Sequence, residues 1–179
     1  MTPILLLLLL ACSSVIPDTT SNPVDKLAGY LDVRLGQKVE EIPGLERFHK
    51  DDNYEQKEEA YTRPADKDYF MLGSVFIQAT EVPTYFVHEG TLSAIRIMSK
   101  DRVWMDYENG VEVPNPVLSH YDCREMVEAL TKMLGTATQI GQDNDNYTWE
   151  GDLSTIRVSN IKLSGGSHYC VFRTQMAKE

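Results

Sequence analysis

The stretch Glu89–Ile97, EGTLSAIRI, occurs a second time with few changes as Glu150–Val158, EGDLSTIRV. Six of the nine positions are identical, and the last position exchanges Ile for Val. In both places an aromatic-rich segment precedes the Glu-Gly pair, and an Ile-Arg-Ile or Ile-Arg-Val run follows it. We therefore expect one strand-turn-strand unit to be used twice, with Gly90 and Gly151 adopting positive φ in the two turns.

Side chains on a strand point alternately to its two faces, so each copy should place its apolar and basic residues on opposite faces of a sheet. We expect Arg96 and Arg157 to face solvent. The residues expected to face the core are Ile95, Ile97, Ile156 and Val158. Two copies are too few for a solenoid, which needs about three repeats. A duplicated unit is the favoured interpretation, and chance similarity between two unrelated hairpins is the alternative.

One segment has the periodicity of an amphipathic helix, and we place this helix at about residues 119–134. Ser119 and Asp122 have the spacing of a capping box, which satisfies free amides at a helix N-terminus. Gly135 provides the stop signal. The apolar residues at helical spacing are Cys123, Val127, Leu130 and Leu134, with Met126 and Met133 beside them. The pattern predicts that Cys123 points into the core.

The other apolar segments favour strands. Asp68–Thr80 is rich in aromatic and β-branched residues, Thr84–Ser99 indicates a hairpin, and three alternating segments follow Gly135. A sheet with one apolar face must be covered, and the predicted helix is the strongest candidate to cover it. The sequence therefore predicts an α+β fold, with one or more antiparallel sheets built from two similar hairpin units packed on one main helix. Residues 26–45 fit a helix as well as a strand.

The N-terminus carries the pattern of an export signal. Ile4–Leu10 is an uninterrupted apolar run, which is too short for a bilayer core that needs about 20 residues in a helix. The order Leu9-Leu10-Ala11-Cys12 resembles the lipobox of bacterial lipoproteins, although no Lys or Arg precedes the run. The resemblance implies that residues 1–11 are a signal peptide, that Cys12 carries a lipid and that residues 12–25 contain a flexible tether.

This resemblance sets the expected location and partners. A lipid on Cys12 would hold the protein in the bacterial cell envelope, and Ser13 would favour the outer membrane, with the protein facing the periplasm. The expected contacts are the lipid anchor in the membrane and a protein partner in the envelope. Residues 26–179 would form a single α+β domain, or a duplicated unit divided into 26–116 and 117–179. A cytoplasmic protein with an apolar N-terminal segment is the alternative.

Cysteine usage fits an exported protein. Of the three cysteines, Cys12 would be used by the lipid, which leaves Cys123 and Cys170 as a pair. In an oxidising compartment such a pair tends to form a disulfide, which would link the helix to the last strand. Two free buried thiols are one alternative. A zinc site is the other, because His120 and His168 lie close to the two cysteines in sequence, and Cys₂His₂ is a common set of zinc ligands.

The chain is acidic, with 17 Lys and Arg against 27 Asp and Glu and a formal net charge of −10. This charge argues against nucleic acid as a partner and against adsorption on anionic lipid headgroups. Candidates for binding are an acidic cluster and two aromatic residues in a segment where prolines predict a loop. They are Asp51, Asp52, Glu55, Trp104 and Tyr107. For the acidic cluster, a solvated surface is the simpler interpretation.

The arrangement also resembles a loose group of uncharacterised bacterial envelope proteins. In that group an LG segment and a hairpin precede a Cys-bearing helix that ends in Gly, and a Trp-containing strand follows. The matching positions here are Leu35-Gly36, Cys123, Leu134-Gly135 and Trp149. The group implies no established activity.

The sequence lacks the motifs of common enzymes and cofactor sites. It has no Gly-x-Ser-x-Gly elbow, no phosphate-binding loop, no dinucleotide fingerprint and no zinc-protease histidine pair. No cofactor is therefore expected. The sequence favours a non-enzymatic binding or accessory module tethered in the envelope. The alternatives are a periplasmic inhibitor or immunity-type protein against a cationic hydrolase, and a hydrolase whose site carries no recognisable motif.

Overall fold

The chain is organised around one large antiparallel sheet, and the structure, a computed structural model, describes residues 22–47, 59–72, 74–101, 105–115, 122–142, 145–162 and 168–177. In chain order its elements are α1 (Pro23–Lys26), β1 (Gly29–Tyr30), β2 (Val33–Arg34), a 3₁₀ turn (Val39–Glu41), β3 (Glu46–Arg47), β4 (Glu59–Thr62), β5 (Tyr69–Leu72), β6 (Val75–Gln78), β7 (Thr84–His88), β8 (Thr91–Lys100), β9 (Met105–Glu108), β10 (Val111–Pro114), α2 (Asp122–Leu134), β11 (Gln139–Ile140), β12 (Asn146–Glu150), β13 (Ser154–Lys162) and β14 (His168–Met176). The large sheet has the spatial order β11-β12-β13-β14-β8-β7-β4-β3. The pairs β1–β2, β5–β6 and β9–β10 form separate two-stranded sheets.

The sequence repeat forms two hairpins of the large sheet, as expected. The hairpins β7–β8 and β12–β13 lie on either side of β14. Phe172 of β14 is paired with Ile97 on one side and with Val158 on the other, and these two residues are equivalent in the repeat. The two copies therefore run in the same direction and in the same register along the two edges of β14. The predicted core-facing residues Ile95, Ile97, Ile156 and Val158 are all buried.

The turns of the two repeat hairpins differ in backbone conformation. Glu89 (φ +50°) and Gly90 (φ +73°) form a turn in the left-handed region, which matches the twist of a two-residue hairpin. For Gly151 the predicted positive φ is wrong. The carboxylate of Asp25 approaches Gly151 so closely that a Cβ atom would overlap it. Glycine is needed at this position for the close approach of a neighbouring side chain.

Asp25, which lies in α1, connects the N-terminal segment to the second repeat turn. Its Oδ1 accepts hydrogen bonds from the Ser154 hydroxyl at 2.7 Å and from the Leu153 N–H at 3.1 Å. Its Oδ2 accepts a hydrogen bond from the Asp152 N–H at 3.0 Å. Burial raises the pKa of Asp25, but these hydrogen bonds outweigh it, and the pKa lies below its ordinary value.

The substitution Asp25→Asn is expected to lower the free energy of unfolding at neutral pH by about 1 kcal/mol, because charge-assisted hydrogen bonds at a mostly solvated site are lost. A carboxyl group with a lowered folded pKa stabilises the fold above its unfolded pKa of about 4, and this stabilisation is lost as the pH falls through the folded pKa. The difference between wild type and variant should therefore fade below about pH 4. Denaturant unfolding measures it, with the exposed Asp152→Asn as the control for a lost charge. A difference that stays constant with pH would contradict this role of the Asp25 carboxylate.

The helix α2 packs on one face of the sheet and is bonded to it covalently. Cys123 in α2 and Cys170 in β14 form a disulfide with their Cα atoms 5.0 Å apart, which confirms the predicted pair. Met126 and Leu130 are fully buried on the same side of the helix as Cys123. Gly135 follows the last helical residue with φ of +87°, as its role as a stop signal predicts.

The predicted α+β class is wrong, because the described part of the chain is mostly β and contains one helix longer than a single turn. α2 covers only part of the core face of the large sheet. Residues 22–45 and the hairpin β5–β6 also contribute to the core on this face, through Val24, Tyr30, Val33, Ile42, Leu72 and Ile77. The sequence does not decide between helix and strand for residues 26–45. It indicates a strand at Asp68–Thr80, and the structure has the separate hairpin β5–β6 there. The fold is a large antiparallel sheet covered by mixed elements.

A partly buried ionic network connects the N-terminal segment to β7. The Nε of Arg63 donates a hydrogen bond to Oδ1 of Asp66 at 2.6 Å, and its terminal nitrogens donate to both carboxylate oxygens of Asp32 at 3.1 and 2.7 Å. The Tyr85 hydroxyl donates a short hydrogen bond to the other oxygen of Asp66. Burial and then the bond to Asp66 raise the pKa of Tyr85, so the phenol keeps its proton.

Candidate binding site

The hairpin β9–β10 forms a two-stranded element separate from the large sheet. Every residue from Met105 to Pro114 is exposed except Val113, which is half-buried. Asn109 (φ +54°) and Gly110 (φ +80°) form the turn, and this dipeptide is strongly favoured in hairpin turns that require positive φ at both positions. The hairpin is therefore encoded locally and presents its side chains to solvent.

Two side-chain contacts hold this hairpin in shape. The Tyr107 hydroxyl donates a hydrogen bond to Oε1 of Glu112 at 2.7 Å, and the two residues are directly paired across the strands. The Asn115 amide donates to Oδ2 of Asp106 at 2.6 Å. The bond to Glu112 raises the pKa of Tyr107, so the phenol stays protonated at neutral pH. A hairpin that is already ordered loses less conformational freedom on binding than a flexible loop does.

The hairpin combines large apolar side chains with negative charge. Met105, Tyr107 and Val111 are 43%, 73% and 61% exposed. All the charged residues of the two strands are acidic, namely Asp106, Glu108 and Glu112. Buried aromatic side chains commonly supply much of the binding energy at protein interfaces, while charge complementarity contributes mainly specificity and association rate. This surface therefore suits a partner that offers apolar contacts and positive charge.

Both strands of the hairpin have an open edge within the described residues, because β9 and β10 pair only with each other there. Such an edge offers backbone donors and acceptors to which a strand of another protein can add. Two copies of this acidic hairpin would repel each other, so its charge also opposes self-association. The geometry therefore favours a partner that differs from this chain.

Of the predicted binding residues, the structure places Tyr107 at the middle of the exposed hairpin. The other predicted binding residues lie outside the described residues, as do the lipidation site, the capping serine and one histidine. They are Asp51, Asp52, Glu55, Trp104, Cys12, Ser119 and His120. Their roles stay predictions.

The residues of the zinc alternative are brought together only in part. Cys123 and Cys170 are bonded to each other, so neither thiolate is available as a metal ligand. Nδ1 of His168 lies 3.4 Å from Oδ1 of Asn160. Across the parts of the chain with described coordinates, no group of three or more His, Cys, Asp or Glu side chains could hold a metal ion.

Asp101, which directly follows β8, is a half-buried acid beside the first turn of α2. Burial raises the pKa of Asp101, while hydrogen bonds from the N–H groups of Asp122 and Cys123 and the nearby His168 act in the opposite direction. The Asp101 N–H also donates to the His168 carbonyl at 3.2 Å. An acid with a raised pKa beside a histidine is a feature of many hydrolase sites. Here the carboxylate caps the first turn of α2, and this contact accounts for its position.

Comparison with protein-family models, curated proteins and solved structures finds no match to this chain. Among the residues that the structure describes, neither helix has the length and apolar character needed to cross a membrane.

The hairpin β9–β10 is a candidate binding element that the sequence patterns did not reveal. Pro114 and Pro116 indicate a loop in this region, and the charged residues between the apolar positions weaken the strand pattern. The Asn109-Gly110 dipeptide between two short alternating segments is the signal that identifies it.

Proposed function

We propose that this protein is a non-enzymatic module, tethered in the bacterial cell envelope by a lipid on Cys12, that binds a protein partner through the hairpin β9–β10. The observation that carries the proposal is the exposure of Tyr107 among apolar and acidic side chains on a separate two-stranded element. The lipobox-like order at the N-terminus supports the tether. The disulfide between Cys123 and Cys170 supports an oxidising compartment.

The geometry of the hairpin restricts how a partner can bind it. Tyr107 is paired with Glu112, and Val111 is paired with Glu108, so Tyr107 and Val111 lie on opposite faces. A partner that buries both side chains must enclose the hairpin or add a strand at its edge. The carboxylates on both faces favour a groove lined with Lys or Arg, and the net charge of −10 would accelerate encounter with such a partner.

A photo-crosslinking amino acid at position 107 is expected to give one discrete covalent adduct in intact cells of the bacterium that produces the protein. Leu153 is the matched control, because Leu153 and Tyr107 are both 73% exposed, but Leu153 lies in the turn between β12 and β13. Denaturing electrophoresis and mass spectrometry of the adduct measure the result. Equal adduct yields at the two positions, or no adduct at position 107, would rule out the hairpin as the binding site.

The tether is tested in the same cells. The intact mass of the wild-type protein should correspond to a chain that begins at an acylated Cys12, and the variant Cys12→Ala should lose the lipid and the membrane association. We also expect a lower yield of the position 107 adduct in this variant, because the lipid keeps the module close to envelope partners. An unprocessed chain with Met1 would contradict the tether and would leave the crosslinking result for the hairpin intact.

The acidic hairpin also favours a second candidate function, the inhibition of a cationic hydrolase in the periplasm. A two-stranded element with an aromatic side chain suits entry into a basic cleft. The identity of the crosslinked partner separates the two candidates. A hydrolase that is inhibited by the wild type and escapes inhibition by Tyr107→Ala would support inhibition, and a partner without enzymatic activity would support an accessory module.

A further inference from the structure

A row of polar side chains crosses the large sheet on the face opposite to α2. Direct cross-strand pairs connect the row from Gln139 on β11 to Glu46 on β3. Its centre consists of three arginines on neighbouring strands, Arg157, Arg173 and Arg96. Because neighbouring strands lie about 4.8 Å apart, the backbone positions of these three arginines span about 10 Å across the sheet. We call these three residues the arginine row.

The sequence repeat builds this row. Arg96 and Arg157 occupy equivalent positions of the two copies, and β14 inserts Arg173 between them in direct register with both. The faces of the strands explain the orientation, since the neighbours Ile95, Ile97, Ile156 and Val158 are buried on the other face. Three guanidinium groups on adjacent strands therefore follow from the register of the sheet.

Neighbouring side chains hold part of the arginine row in place. The guanidinium carbons of Arg96 and Arg173 lie 5.4 and 4.9 Å from the ring centroid of Phe86, which is buried. Nη2 of Arg96 donates a hydrogen bond to Oγ1 of Thr84 at 3.3 Å. Arg157 is exposed. Stacking on an aromatic ring restricts a guanidinium group, so two members of the row are oriented before any ligand arrives.

The positive charge of the arginine row favours the binding of an anion. Like charges directly opposite each other on adjacent strands are unfavourable. As far as the described residues go, neither Arg96 nor Arg157 forms an ion pair with a carboxylate. Two acids lie on the same face as the arginine row. Glu150 is diagonal to Arg157, but its Oε1 already accepts a hydrogen bond from Nε2 of Gln139 at 2.9 Å. Glu46 lies at the far end of the row of polar side chains. An anion bound between the arginines would relieve their mutual repulsion.

We propose that the arginine row binds a ligand that carries two or more phosphate groups. The guanidinium fork pairs bidentately with phosphate oxygens, and one phosphate offers enough acceptors to contact two neighbouring arginines. A lone carboxylate has two oxygens and one negative charge, so it offers fewer acceptors and less charge to neighbouring guanidinium groups than an oligophosphate does. A soluble oligophosphate and a phosphorylated lipid headgroup offer the same chemistry, and the positive charge of the arginine row is local, in contrast to the overall charge of −10 that opposes general adsorption on anionic lipid. The site uses no residue of the hairpin β9–β10 and goes beyond the proposed function.

Isothermal titration calorimetry of the full chain with inorganic tripolyphosphate tests this site. Arg157→Gln should weaken binding by about tenfold or more, because it removes charge-assisted hydrogen bonds to the anion. Arg124→Gln is the matched control, because the side chain of Arg124 is 63% exposed on α2 and its loss changes the net charge equally. The control should change the affinity by less than about twofold, since distant surface charges are screened by salt. Circular dichroism of both variants verifies that the fold is retained.

A second arm identifies the source of the phosphate groups. Vesicles of phosphatidylcholine with and without cardiolipin, a lipid with two phosphate groups, are sedimented with the wild type and with Arg157→Gln. Sedimentation that requires both cardiolipin and Arg157 supports a lipid headgroup. Binding of tripolyphosphate without vesicle sedimentation supports a soluble ligand. The proposal is overturned if neither probe binds, or if Arg157→Gln and Arg124→Gln reduce binding equally. The crosslinking test of the hairpin is independent of all these outcomes.

Discussion

Reduction of the disulfide between Cys123 and Cys170 is expected to lower the free energy of unfolding by about 4 kcal/mol. The bond links residues 47 positions apart, and a crosslink of this span removes much of the conformational freedom of the unfolded chain. It also connects α2 to β14, the strand that holds the two repeat hairpins together. Small domains have a total stability of about 5–15 kcal/mol, so the expected loss is a large fraction of the whole.

Guanidinium denaturation with and without reductant measures this loss. The double variant Cys123→Ala with Cys170→Ala should be at least as unstable as the reduced wild type, because it also removes two buried sulfur atoms, and it should not respond to reductant. Cys12→Ala is the control, since it removes a cysteine outside the pair and should keep the full response. If the oxidised and reduced wild-type proteins unfold at the same denaturant concentration, the bond contributes no stability.

The substitution Arg63→Met is expected to cost about 3–5 kcal/mol of folding free energy, because it leaves an uncompensated charge inside the protein. The side chain of Asp66 is 1% exposed and forms its ion pair with Arg63. Asp66 would keep the hydrogen bond from Tyr85 and would lose the cation that balances its charge. Methionine fills part of the volume of arginine, so the expected loss comes mainly from electrostatics.

A surface ion pair provides the control for this prediction. Nη2 of Arg47 lies 2.9 Å from Oε1 of Glu59, and the two side chains are 59% and 45% exposed. Arg47→Met should therefore lower the free energy of unfolding by only about 0–1 kcal/mol. The double variant Arg63→Met with Asp66→Asn should be more stable than Arg63→Met alone, because the unbalanced charge is removed. Denaturant unfolding compares the variants. A double variant that is no more stable than the single one would show that the charge of Asp66 is not the source of the loss.

Local sequence patterns predict much of this fold, because alternation and helical periodicity are local properties. Ile95 and Ile97 are buried and Arg157 is exposed, as the alternation of the repeat indicates. Gly135 ends α2 because it adopts positive φ there. The disulfide between Cys123 and Cys170 agrees with the expectation from cysteine usage, which assigns Cys12 to the lipid and leaves these two as a pair.

Pairing between distant strands is not encoded locally, and the failures of prediction have this cause. No pattern within β14 or β8 specifies that the two strands are neighbours, yet this pairing places Arg173 beside Arg96. The arginine row therefore cannot be predicted from local sequence patterns. The α+β prediction fails for a related reason, because the burial of residues such as Tyr30 and Val33 depends on tertiary contacts of a segment with weak local preference. The hairpin β9–β10 differs, since its Asn109-Gly110 signal is local, while the expectation of a loop rests on the prolines alone.

The position of β14 has a consequence for the order of folding. β14 is the last of the described strands in chain order, and it lies between two hairpins that share the nine-residue repeat. Before β14 pairs with its neighbours, β8 and β13 each have an unpaired edge, and both edges match β14 in the same register. A β14 strand from a neighbouring molecule offers the same residues to these two edges, and its insertion would be a domain swap. Insertion of each chain's own β14 before contact with another incomplete copy avoids this exchange.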